Sequence, residues 1–218
     1  MLIGFSVSNY RSFYERETIS FIATKIARHK EHVYSVGNRR ILKSGLIFGA
    51  NAGGKSNFVR AINFSRKIVL LGIDSVDLTK QNFRIKEGSL QQPGVFEYRL
   101  MVDEHEYSYG IVISYEKKEI ISEWLTRITK SGEEKVIYNR EVDEYGISHA
   151  ETKLSFIDHE EENRMKIYLS DFDKNISDSL KRKSILNDLA MRGTNRADIF
   201  AELKRVYNWF QHLVIIFP

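Results

Sequence analysis

GANAGGKSN, running from Gly49 to Asn57 directly after the apolar run Leu46-Ile47-Phe48, is the stretch on which the fold turns. The spacing G-x-x-x-x-G-K-S is met by Gly49, Gly54, Lys55 and Ser56. Backbone N–H groups must curl around a polyphosphate to bind it, and side chains would obstruct that approach. Gly49, Gly53 and Gly54 supply the permissive backbone, while Lys55 would reach the terminal phosphates and the Ser56 hydroxyl would hold Mg²⁺. The candidate phosphate-binding residues are Gly49, Ala50, Asn51, Ala52, Gly53, Gly54, Lys55, Ser56 and Asn57, and Ser56 is also the candidate metal ligand.

A glycine-rich turn that binds nothing satisfies the same pattern, so the flanks must decide. Leu46-Ile47-Phe48 is short and wholly apolar, which predicts a buried parallel strand. After the loop, Phe58, Ala61, Ile62, Ser65, Ile68 and Val69 recur at helical spacing, which predicts a helix ending near Gly72. Such a helix adds its positive end to the cradle.

A chain of 218 residues can bury one good core, or one core with a smaller lobe. Hydrophobic residues at 42% and aromatics at 12% exclude a disordered tail. The absence of cysteine excludes a disulfide framework and a thiolate metal site. No apolar run approaches membrane-spanning length, and MLIGFSVSNYRSF lacks the features of an export signal, so the expectation is a soluble cytoplasmic protein with no membrane partner. The net charge of +4 and a pI near 9.1 fit an anionic partner without identifying one. Arg39-Arg40 with Lys43 lie just before the phosphate loop; Lys181-Arg182-Lys183 read as a solvated helical face.

Alternation predicts early strands around Ile3-Phe5-Val7 and Thr18-Ile22, then a polar loop over residues 25–40 with a short strand near Val33-Tyr34. From Phe96 to about Ile147, β-branched and aromatic runs separated by Asp103-Glu104, Glu116-Lys117-Lys118 and Ser131-Gly132 predict an antiparallel meander. Helical periodicity returns beyond Asp158, and Leu213 to Pro218 reads as a terminal strand. The expected division is 1–75, early strands and phosphate-loop core; 76–157, β-lobe; and 158–218, helices and the terminal strand.

FSVSNYRSF, LIFGANAGGKSNFVRAI and the β-lobe with FEYRLMV, YSYGIVI and IISEWL together resemble the ABC-type ATPase heads of the RecF, SMC and overcoming-lysogenization-defect (OLD) group, and are most similar to bacterial OLD-like ATPases, several of which act in phage defence. The resemblance covers nearly all of the chain. It implies an α/β P-loop NTPase of ABC-ATPase type with an inserted antiparallel β-lobe, here the N-terminal part of a full head. It further implies ATP and Mg²⁺ as ligands and a second head as partner, in a homodimer or larger assembly. Nucleic acid and an effector nuclease or toxin are further candidate partners. The resemblance also places Arg11, in Asn9-Tyr10-Arg11-Ser12-Phe13, near nucleotide or DNA.

Hydrolysis in these heads needs an apolar strand ending in Asp-Glu, the Walker B segment, and a Ser-Gly signature segment. Neither is recognisable here, and the catalytic residues are unknown at this level. Asp74 continues from the phosphate-loop helix, Ile167 to Asp171 lacks a paired Glu, and Asp158 to Glu162 reads as a loop or first helical turn. None of the six histidines forms a metal-ligand pattern with Asp or Glu at helical or hairpin spacing. Nucleotide-dependent switching of head association or of an attached effector, in phage defence or DNA maintenance, is the leading expectation. A P-loop GTPase or small-molecule kinase and a nucleotide-holding scaffold that does not hydrolyse are the alternatives.

Overall fold

Leu2–Ser8 (β1) is buried along nearly its whole length, which requires cover on both faces. In the computed structural model, which describes residues 1–25, 29–51, 53–156, 158–174, 176–192 and 198–216, that cover comes from two sources. Phe5 and Val7 join the main core with the helix Lys55–Leu71 (α1), whereas Ile3 packs with Ile41 and Met101 in a separate small cluster. Ile41 belongs to Arg39–Leu42 (β4), which pairs antiparallel with Val33–Val36 (β3). The short strand expected near Val33-Tyr34 is therefore the first arm of a hairpin, and Arg39-Arg40 lie on its return.

Glu17–Ser20 (β2) pairs with β1, and β1 pairs with Gly94–Val102 (β5), all antiparallel. The sheet continues through His105–Ser114 (β6), Glu119–Ile128 (β7), Glu134–Val142 (β8) and Ser148–Glu151 (β9), in the order β2-β1-β5-β6-β7-β8-β9. The expected meander is present, and strands from both sides of residue 75 share one seven-stranded sheet. Its turns follow from sequence: Asp103 and Glu104 both take positive φ, 46° and 64°, as a two-residue hairpin of right-handed twist requires. Alternation along β5 sends Phe96, Tyr98 and Leu100 inward.

That inner face is covered by helices. α1 is joined by His159–Ser170 (α2), Asp178–Lys181 (α3), Ile185–Arg192 (α4) and Asp198–His212 (α5). Phe210 of α5 meets the rings of Tyr98 and Tyr109 edge-on at 5.0 and 5.1 Å. The ends are tied together: Arg66 of α1 donates to the carbonyls of Phe210 and Gln211 at the end of α5, and Asn187 of α4 donates to the Leu70 carbonyl at the end of α1. Each satisfies a carbonyl that a helix C-terminus leaves without an intrahelical donor.

Two expected strands are absent. Leu46-Ile47-Phe48 is irregular, with Leu46 83% and Phe48 85% exposed. Leu213 to Ile216 is likewise irregular, with Val214 and Ile216 exposed, and Phe217 and Pro218 lie outside the described residues. Apolarity supplies a reason to be buried, but a parallel strand also needs a neighbour to complete its ladder. Every pairing in the described sheets is antiparallel, and none includes either run. Asp74 sits in a 3₁₀ turn beyond α1, and Asp158 caps α2 by accepting from the Glu160 N–H, both as the sequence implied. Ile167 to Asp171 is the end of α2 and its following turn rather than a strand. Lys181-Arg182-Lys183 ends α3, with the Arg182 carbonyl accepting from Ile73 N–H and its guanidinium 3.4 Å from Asp74.

The least expected element of the core is ionic. Glu123 on β7 is fully buried, opposite Arg140 on β8, which is also fully buried. Its carboxylate accepts from the hydroxyls of Tyr109, Tyr138 and Ser184 and from the backbone N–H groups of Ile185 and Leu186 at the start of α4. Replacing Glu123 by Ala leaves three hydroxyls and two backbone N–H groups without their acceptor and removes the negative charge opposite buried Arg140, so urea unfolding of Glu123→Ala should show a loss of about 3–5 kcal/mol. A loss indistinguishable from that of a surface substitution would mean the network is not built as described.

Tyr98, Tyr107, Tyr109, Tyr115 and Tyr138 all have their phenols raised above the ordinary value of 10, chiefly by burial, with Glu123 adding to the effect on Tyr109 and Tyr138. Because the folded values are raised, the stability these groups contribute is complete below pH 10 and is lost as pH climbs toward the folded values. Above about pH 10, Tyr138→Phe should flatten the decline in unfolding free energy by about 1.4 kcal/mol per pH unit. Parallel declines in the two proteins would contradict this.

Candidate phosphate-binding site

The loop between β4 and α1 ends at Gly54, whose φ of 85° lies in the left-handed region. A Cβ there would stand 3.1 Å from Ser12 Oγ and 3.3 Å from the Phe13 ring, so both the turn and the close approach demand glycine. Ser12 also accepts from Asn57 Nδ2 at 3.1 Å. The turn that delivers these contacts is held from behind by Asn9. This residue is buried at φ 45°, its side-chain NH₂ donates to the carbonyls of Ser89 and Gln92, and its side-chain Oδ1 accepts from Phe83 N–H. An Asn tolerates that backbone and satisfies both strands of loop at once.

α1 opens at Lys55 without a side-chain cap. Its first N–H groups have no intrahelical acceptor and point out of the helix end, where the positive end of the dipole lies. Asn51, Gly53, Gly54, Lys55, Ser56, Asn57 and Arg60 line an open hollow of about 260 Å³ at this end. Lys55 Nζ donates to the carbonyls of Gly49 and Ala50, both at 2.6 Å, so the ammonium is folded over the loop with its third donor free. Ser56 is exposed. Its hydroxyl is a side-chain oxygen that suits Mg²⁺, and one such ligand is enough for an ion that keeps most of its waters and takes the rest of its ligands from phosphate. The donor set therefore fits a magnesium-bound polyphosphate. Ala52 lies outside the described residues.

Arg11 does not line this hollow. Its backbone takes φ 48°, its Nε donates to Gln81 Oε1 at 2.8 Å, and its guanidinium stands 5.7 Å from the centre of the Tyr10 ring. It faces a second hollow of about 390 Å³ beside α1, lined also by Arg60, Lys67 and Asp77. Arg60 borders both hollows, so the two are neighbours and share a cation. A groove of about 330 Å³ on the other face of the sheet, near Ser6, Arg99 and Trp124, contains none of the phosphate-loop residues.

The sequence pattern marks the loop but not its supports. Ser12 and Phe13, the neighbours of Arg11 in sequence, are the residues that touch the loop. Arg60 was readable from its position four residues beyond Ser56, on the same face of the helix. No Asp or Glu lines the phosphate hollow among the described residues. Asp74 lies past the far end of a seventeen-residue helix, about 25 Å along its axis from Ser56, and pairs with Arg182. Asp171 pairs with Arg192. Neither reaches the phosphate site.

Among the described residues no helix is long and apolar enough to cross a membrane. No curated protein matches the chain. The family model described as "AAA domain, putative AbiEii toxin, Type IV TA system" matches residues 46–216, well over half of the sequence, and its match takes in the whole phosphate loop and α1. The expected α/β fold of P-loop NTPase type stands, with its large antiparallel sheet, and the chain belongs to this family of AAA-type, ATP-binding P-loop domains.

Proposed function

We propose that the loop Gly49 to Asn57 binds ATP with Mg²⁺ and that nucleotide state controls how this domain associates with a second copy and with an attached effector. The observation that carries the reading is the open helix end at Lys55, where glycines, an ammonium and a free hydroxyl converge on one hollow. Lys55 supplies charge to the β- and γ-phosphates, Ser56 holds the metal, and backbone N–H groups supply the rest. Arg11 and Arg60 extend the positive field beside the nucleotide, where a nucleic-acid strand is the candidate partner. A role in phage defence or DNA maintenance rests on the resemblance to OLD-like ATPases.

A second reading has its own observation. Among the described residues no carboxylate lines the phosphate hollow to position a water, which favours binding without turnover by the isolated chain. A scaffold that keeps nucleotide bound is consistent with that, as is a head whose water-activating group arrives from elsewhere in an assembly.

Binding of a fluorescent ATP analogue with Mg²⁺ should weaken at least about tenfold in Lys55→Ala, because a charge-assisted contact to phosphate is lost. Equal affinity in a folded mutant would remove the phosphate-loop assignment. Gly54→Ala should lose about 1–2 kcal/mol in urea unfolding, the cost of a left-handed alanine, and should also weaken analogue binding. Phosphate release by the purified chain should stay at background. Robust turnover that Lys55→Ala abolishes would show that a carboxylate reaches the site after all. Arg11→Ala, tested against a short oligonucleotide and against the analogue, separates a strand contact from a nucleotide contact; no change in either would leave Arg11 with a structural role only.

A further inference from the structure

On the surface turn entering β3, far in sequence from the phosphate loop, His29, Glu31 and His32 bring their ligand atoms within 4.8 Å of one another. Lys30–His32 is one 3₁₀ turn, preceded by His29 at φ 58° and ψ 47°, and the His32 N–H closes it by donating to the His29 carbonyl at 3.0 Å. In a 3₁₀ turn, residues three apart lie one above the other, which is how the two imidazoles come to flank the glutamate. A search at α-helical or hairpin spacing passes over that arrangement.

Two of the three ligand–ligand distances are those of a coordination shell. His29 Nδ1 stands 3.2 Å and His32 Nε2 3.5 Å from Glu31 Oε1. Around a four-coordinate Zn²⁺ with bonds of about 2.0–2.2 Å, neighbouring ligand atoms stand about 3.3–3.6 Å apart. We propose that His29, Glu31 and His32 form a surface site for a borderline transition-metal dication such as Zn²⁺, with water completing the coordination. Two imidazoles and one carboxylate are the donors that such ions prefer. The electrostatics discriminate further. Lys30 lies within the turn, and Lys43, whose N–H donates to the His32 carbonyl, also acts on Glu31. These cations repel every dication alike, so a site held by charge alone fails, and binding through imidazole nitrogen, which Zn²⁺ takes and Mg²⁺ does not, is favoured.

A metal here would fix the entry to the β3–β4 hairpin, whose Ile41 covers Ile3 and Met101 and whose Arg39 donates to buried Glu106 at 2.7 Å. The same interatomic distances also describe plain imidazole–carboxylate hydrogen bonds, and titration separates the two. Zn²⁺ is titrated calorimetrically into the metal-stripped full chain in magnesium-free buffer, and Co²⁺ binding is followed by visible d–d absorption. The expected result is one Zn²⁺ per chain, with affinity at least about tenfold weaker in both His29→Ala and His32→Ala, and a Co²⁺ band in the wild type that both variants lack. All three side chains are on the surface, so circular dichroism should confirm that the variants remain folded. A wild-type chain that takes up no Zn²⁺, or unchanged affinity in either variant, overturns the assignment. Magnesium-dependent binding of the ATP analogue should be the same in His32→Ala as in the wild type, which keeps this test independent of the phosphate loop.

Discussion

The buried carboxylate of Glu123 is the joint between the sheet and the helices. Five donors converge on it: two tyrosine hydroxyls from β6 and β8, the Ser184 hydroxyl, and two N–H groups from the open end of α4. An ionised group taken out of water is costly unless hydrogen bonds and charge replace its hydration, and here Arg140 and the positive end of α4 do so. The consequence reaches the phosphate loop. Glu123 fixes where α4 begins, α4 holds the end of α1 through Asn187, and the other end of α1 is the cradle for phosphate. A network in the sheet thereby sets the position of a helix whose opposite end is the proposed phosphate site.

What the sequence made legible is what is local. α1 shows its period, its glycine stop at Gly72 and its glycine-rich start, and all three are properties of neighbouring residues. The meander shows alternation and turn residues for the same reason. Leu46 to Phe48 and Leu213 to Ile216 mislead because strand formation depends on a partner that the run itself does not encode. Glu123 and Arg140 were hidden differently: in a strand of alternating character each reads as a solvent-facing polar residue, and only the packing of α3 and α4 over that end of the sheet turns them inward. Arg140 shows the result, donating to the carbonyls of Lys183 and Ile120 rather than to water.

The site divides into a rigid part and an adjustable part. α1 is anchored along its length, with Ser65 hydrogen-bonded to the buried Tyr98 hydroxyl, Phe58 edge-on to Phe5 and Phe13, and Gly72 closing the C-terminal end. By contrast, residues 43–51 are exposed and irregular, and their described contacts to the rest of the chain are few. Segments of that kind sit at the low end of local stability. On the proposed reading, a bound phosphate would change the loop rather than the helix, because Lys55 would only have to exchange the Gly49 and Ala50 carbonyls for phosphate oxygens.

Arg60 gives that exchange a consequence outside the cradle. It borders the phosphate hollow on one side and, on the other, the basic hollow with Arg11 and Lys67. The sign of the coupling follows from charge. On the proposed reading, a polyphosphate in the cradle would satisfy part of the field of Arg60 and add negative charge nearby, so a second anion beside Arg11 and Lys67 would be bound less tightly while nucleotide is present. Binding free energies are reciprocal, and an anion in the basic hollow must weaken nucleotide by the same factor. Both hollows open to solvent, which keeps the direct electrostatic effect modest and dependent on salt. A larger coupling would require the loop itself to move, and the exposed segment before Gly54 is where the structure leaves room for that.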